Sequence, residues 1–130
     1  MRILSATLLL ISLSACGTAP PPPPALPADT VWRPIAHWSG RGNQQLETFP
    51  IEGWIWRVQW ASRNESPAGQ GTLRVAALSA DSGREIAEIT NVRGDDHDTK
   101  YLSDLPRRYY LEVSAANVEW SLIVEEPAPK

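Results

Sequence analysis

Cysteine is all but missing from this chain. Cys16 is the only one among 130 residues, so no intramolecular disulfide can form. Histidine is as scarce: His37 and His97 are the only two, and they do not stand at the spacing of a zinc site. Basic charge is in no surplus, with 12 Lys and Arg against 15 Asp and Glu, and no Lys/Arg run could neutralise several phosphates. That argues against a nucleic-acid partner. No apolar stretch reaches the ~20 residues that cross a bilayer as a helix. The catalytic signatures are missing too: there is no Gly-x-Ser-x-Gly elbow and no His-Glu-x-x-His helix. Gly40-x-Gly42 and Gly69-x-Gly71 lack the rest of any phosphate-cradling fingerprint. These absences point away from an enzyme and call for no cofactor, although two acids meeting in space always leave a hydrolase conceivable.

What is present begins with an address. Residues 1–15 read as a basic residue, Arg2, then an apolar run from Ile3 to Leu13, then the small exit Ser14-Ala15. This is the pattern of a secretory signal segment. Leu13-Ser14-Ala15-Cys16-Gly17 resembles the lipobox of bacterial lipoproteins, in which the cysteine sulfur takes a diacylglycerol and the chain is cut before it. The resemblance implies that Cys16 is the lipidated mature N-terminus and that the chain's first partner is a membrane. The two or three acyl chains of a mature lipoprotein anchor stably where one does not. It also implies a cell-envelope location, with an outer membrane favoured where the cell has one, because Gly17 is not the aspartate that favours inner-membrane retention.

Residues 16–30 follow as a Pro- and Ala-rich linker, with Pro20 to Pro24 unbroken and Pro27 close behind. About thirteen residues of polyproline at ~3.1 Å each would reach ~40 Å. Residues 127–130, Pro-Ala-Pro-Lys, read as a disordered tail.

Residues 31–126 must supply the whole core, and they hold all six tryptophans. Trp54 to Trp60 alternates with period two, placing Trp54, Trp56, Val58 and Trp60 on one inward face. Tyr109 to Val113 turns Tyr109, Leu111 and Val113 inward, and Val118 to Val124 does the same with Val118, Trp120, Leu122 and Val124. Their short link at Ser114 to Asn117 suits a hairpin. Thr72 to Leu78 and Arg84 to Thr90 form a second hairpin through Asp81-Ser82-Gly83, and Gly83 argues against a helix over Ala80 to Ile89. Asn64 to Gly71 and Arg93 to Lys100 read as connecting loops. Short strands separated by turns predict an all-β fold, a small antiparallel β-sandwich with a jelly-roll-like or barrel-like arrangement as the alternative. The Trp-rich strand, the Gly40-Arg41-Gly42 turn before Phe49 and the closing Tyr-Tyr-Leu-Glu-Val and Val-Glu-Trp-Ser-Leu segments resemble small secreted bacterial β-sandwich domains. That likeness implies a fold and no catalytic residues.

Three sets of candidate ligand residues remain. Trp32, Trp38 and Tyr110 are claimed by no core face, so they are the candidates for an aromatic surface that binds a glycan or peptidoglycan. Asp95, Asp96 and Asp98 offer oxygen ligands for calcium in an acidic loop, but Lys100 stands where a third ligand belongs in the EF-hand pattern. Arg93-Gly94-Asp95 is the tripeptide that integrin-binding adhesins display. The reading that joins these parts is a lipid-anchored envelope protein whose sandwich acts without catalysis, as an interaction or structural accessory domain. Its partner is an envelope protein or, in the alternative, a glycan.

Overall fold

The computed structural model describes residues 26–129, so the signal segment, Cys16 and Pro20 to Pro24 lie outside the described residues, as does Lys130. Nine strands follow in order: β1 (Trp32–Arg41), β2 (Gln44–Gln45), β3 (Phe49–Ile51), β4 (Ile55–Arg63), β5 (Thr72–Ser79), β6 (Glu85–Arg93), β7 (Asp96–Ser103), β8 (Arg107–Ala116) and β9 (Glu119–Pro127). One sheet, A, has the order β1-β9-β4-β7, and the other, B, the order β2-β8-β5-β6 with β3 also on β8. Every pairing is antiparallel. Because β2 and β3 lie along the same strand β8, they act as one interrupted edge. The order is then that of a jelly roll, two packed open sheets and no closed barrel.

The alternation in β4 and β9 drives this arrangement. Trp56, Val58 and Trp60 in β4 and Trp120, Leu122 and Val124 in β9 are all buried on the inner face of sheet A. Tyr109, Leu111 and Val113 in β8 and Leu73, Val75 and Ala77 in β5 answer them from sheet B. The sheets meet in an aromatic column: Trp56 and Tyr109 stand 4.8 Å apart across the sandwich, and Phe49 lies 5.6 Å from Trp56. Trp120, fully buried, donates its indole N–H to the Gly42 carbonyl at 3.0 Å. Gly40 lets that ring sit where it does, since a Cβ there would come within 2.9 Å of Trp120 Cζ2.

Several expectations need correction. Strands β8 and β9 do not form a hairpin: β8 pairs in sheet B and β9 in sheet A, so the turn at Asn117 (φ 58°) carries the chain across the sandwich. Period-two burial is the same whether two strands share a sheet or face each other, so the pattern alone could not separate these cases. Arg93 to Lys100 is not one loop, because β6 runs to Arg93 and β7 starts at Asp96. Trp54 is not inward; it precedes β4 in a turn whose carbonyl accepts Asp104 N–H, and it is 60% exposed. Pro127, expected in the tail, still pairs with Trp32, and the Ala128 N–H donates to the Val31 carbonyl at 2.8 Å.

The single proton of the Tyr109 hydroxyl is shared between two acceptors, Leu105 O at 2.7 Å and Asp104 Oδ2 at 3.0 Å. Burial, helped by the Asp104 carboxylate, pushes its phenol up to about 12 from the ordinary 10.0. A folded value above the unfolded one stabilises the fold fully below pH 10, and that contribution is lost as pH rises from 10 to 12. Tyr109→Phe is therefore expected to lower stability at neutral pH by about 1–2 kcal/mol. Its denaturation midpoint should also fall less than the parent's between pH 10 and 12, as followed by urea titration. Gly40→Ala should lose about 1–3 kcal/mol by forcing the Trp120 ring from its place, read as a drop in Tm.

Candidate functional site

The most developed cleft lies where β1 begins. Its volume is about 610 Å³, its floor is Trp32, Ile55, Arg57 and Tyr101 on sheet A, and one wall is the segment from Leu26 to Thr30. That segment forms a turn, closed by the Thr30 N–H donating to the Pro27 carbonyl at 3.0 Å, so the end of the Pro-rich linker folds back on the sheet.

A β-bulge puts Trp32 in this cleft. Between β1 and β9 the register pairs Trp38 with Leu122 and Ala36 with Val124, both inner-face positions, but Pro34 with Glu125 and Trp32 with Pro127. Ile35 is the extra residue. Without it, Trp32 would share the parity of Trp38 and point into the core; with it, Trp32 joins the outer face. There the Arg57 guanidinium sits 4.2 Å over the Trp32 ring, and Tyr101 meets that ring edge-on at 5.8 Å and 65°.

Arg57 is held from beneath. Its Nε donates to Glu125 Oε1 at 3.0 Å, and the Gln59 amide donates to the same oxygen. Pairing Pro34 with Glu125, Glu125 with Arg57 and Arg57 with Tyr101 makes these four one row across sheet A. The Glu125 carboxylate, only 10% exposed, neutralises Arg57, so the floor is polar yet carries no net charge from this pair. The next rows hold His37, Ile123, Gln59 and Thr99, then Ser39, Ser121, Ala61 and His97. Sheet B's outer face differs: Arg74 there forms ion pairs with Glu85 and Glu88, and Arg108 and Glu112 flank Tyr110 on β8.

The structure does not bring the three aromatic candidates together. Trp32 lies on the outer face of sheet A, and Trp38 is half-buried against the core 5.8 Å from Phe49. Tyr110 is on the outside of sheet B. Tyr101 and Arg57, which complete the Trp32 cleft, escaped the sequence reading. Tyr101 belongs to the strand taken for a loop, and the only signal for it was the parity that sets it opposite Leu102.

The acidic candidates are tied to backbone. Asp95 Oδ1 accepts from Glu65 N–H at 3.0 Å, Asp96 Oδ1 from His97 N–H and Asp98 Oδ1 from Thr99 N–H, each at 2.8 Å. Among the described residues no group of three or more His, Cys, Asp or Glu side chains is gathered to hold a metal ion. His37 and His97 face the same side of sheet A from opposite edge strands. Three strand spacings of about 4.8 Å separate those strands, some ~14 Å in all, too far for a shared ion. Arg93, Gly94 (φ 74°) and Asp95 make the β6–β7 turn at the far end of the sandwich. The class defined by fold and cleft is thus a jelly-roll domain with an aromatic cleft at one end of an outer face whose central rows carry no Asp, Glu, Lys or Arg. Comparison with protein-family models, curated proteins and solved structures finds no match for this chain.

Glu125→Ala should destabilise the domain by about 3 kcal/mol, because it strands a mostly buried guanidinium. Deleting Ile35 should abolish the stack of Arg57 on Trp32, seen as loss of the upfield ring-current shift of the Arg57 side-chain protons; Trp32→Ala should abolish the same shift while leaving the fold intact.

Proposed function

We propose that this chain is a lipid-anchored protein of the bacterial cell envelope, held through Cys16. In this reading the jelly-roll domain binds its partner without catalysis, on the outer face of sheet A. The observation that carries the binding face is the bulge at Ile35, which withdraws a tryptophan from the core of a small domain and sets it between Arg57 and Tyr101. Bulges of this kind recur where a side chain is re-aimed for use. A core position would bury the ring more fully than this half-buried one does, and the placement at the rim of a cleft favours a binding role. The two rings stand at 65°, which makes a cleft rather than a flat stacking plane and suits the side chain of an envelope protein partner.

A glycan is the second reading. Gln59, Thr99, Ser121 and Ser39 give the rows beyond the cleft uncharged hydrogen-bonding groups, the chemistry that recognises sugar hydroxyls. Photo-crosslinking in cells, with the probe at Tyr101 and a control probe at Tyr110, separates the two. The expected result is capture of one envelope protein, identified by mass spectrometry, from position 101 only, and its loss in Trp32→Ala. Capture of peptidoglycan or polysaccharide alone from position 101 would make the glycan the ligand. Equal capture at both positions would remove the assignment to sheet A.

A further inference from the structure

Five large apolar side chains remain exposed among the described residues, and four of them, Val31, Trp54, Tyr101 and Leu105, lie at or beside one pole of the sandwich. The register fixes this: Trp32, Ile55, Ser103, Arg107 and Pro127 are strand ends on the same side. Trp54 and Leu105 are in adjoining loops, since Asp104 N–H donates to the Trp54 carbonyl, and they are 60% and 47% exposed. This pole also holds the pairs Arg33–Glu126 and Arg107–Asp104, whose acids are largely buried; the opposite pole has none of the large exposed apolar side chains found among the described residues. There Glu65 accepts from the Gly69 and Gly71 N–H groups, Asp95 from Glu65, and Arg41 pairs with Glu119.

The chain reaches the domain at the apolar pole. Leu26 borders both the Trp32 cleft and the hollow beside Trp54. Only nine residues separate it from Cys16, a reach of at most ~30 Å even as extended polyproline. We propose that this pole docks on the lipid surface, with Trp54, Leu105 and Val31 entering the interface between headgroups and acyl chains. The proposal rests on the reading that Cys16 carries the anchor. Tryptophan suits such a boundary because its ring is apolar and its N–H stays wet. A tether of this length keeps the pole next to the bilayer, so weak insertion by a few side chains gains from high effective concentration. Docking would leave the solvated loops of the opposite pole facing away and set the Trp32 cleft beside the headgroups.

The test exploits the single cysteine. With Cys16 consumed by lipid, a thiol introduced at Gly53, where a side chain meets nothing within 4 Å, or at Gln70 on the far pole can be labelled alone with an environment-sensitive fluorophore. The lipidated protein is reconstituted in vesicles of phosphatidylethanolamine and phosphatidylglycerol, and the mass of its N-terminus is measured. The expected result is a lipid-modified N-terminus and several-fold stronger quenching by spin-labelled lipid at position 53 than at 70, abolished when Trp54 and Leu105 are both changed to Ser. Far-ultraviolet circular dichroism checks that the double variant keeps its fold. Equal quenching at the two positions on a lipidated protein would overturn docking and leave the anchor standing. Shielding of position 53 from iodide without quenching by lipid would assign the pole to a second copy and overturn docking too. An unmodified Cys16 would remove the anchor, and the docking proposal with it.

Discussion

The contact between Trp56 and Tyr109 is the hinge of this structure. One ring comes from the second strand from the edge in sheet A and the other from its counterpart in sheet B, and they meet at 4.8 Å. A domain of about a hundred residues buries a smaller share of its surface than a large one, and a single cysteine offers no covalent substitute. Large rings facing each other across the sandwich are therefore what joins the sheets. The bonds from Tyr109 to Asp104 and Leu105 extend that joint to the loop before β8, which in turn bonds the Trp54 turn. Core packing thereby fixes the pole where the chain arrives.

The same constraint explains what is unusual in β1. A small core gains from every aromatic it can bury, at about 25 cal/mol per Å² of apolar area, and β1 has two tryptophans of equal parity. Trp38 is spent on the core against Phe49. One inserted residue sends Trp32 the other way, where Arg57 covers one face and Glu125 compensates Arg57 from below. Shielding the ring in this manner limits the exposed apolar area while keeping its edge at the cleft.

The fold was legible from period-two alternation wherever a strand is central and regular. Trp56 to Trp60, Tyr109 to Val113 and Trp120 to Val124 bury the faces their patterns require, with Val118 buried just before β9, and Thr72 to Leu78 pairs with β6. Of the edge strands, β6 was legible as Arg84 to Thr90, but β1 and β7 were not. In β1 the phase changes at Ile35 and Pro34 interrupts the pattern, and in β7 Asp96, Asp98 and Lys100 occupy the positions that would have been apolar in a central strand. Charge on an edge strand discourages pairing with another chain, so the feature that protects β7 also hid it. Since Tyr101 lies on β7 and Trp32 beyond the bulge, both rings of the cleft come from the strands whose patterns are broken. Only Trp32 could be singled out, and only by its lack of a core role.

The two outer faces differ in how their charged groups are placed. On sheet B, Arg74 with Glu85 and Glu88 makes exposed ion pairs of the kind worth little to stability but effective in keeping a sheet wet. On sheet A, the ionic pair in the floor of the cleft is largely buried and internally neutral, which leaves the cleft aromatic and its neighbouring rows free of Asp, Glu, Lys and Arg. Such a surface does not steer a partner from a distance. In the proposed reading it would select by contact, which becomes efficient when a tether confines domain and partner to the same layer. On that reading the chemistry of the face and the shortness of the linker would serve one purpose.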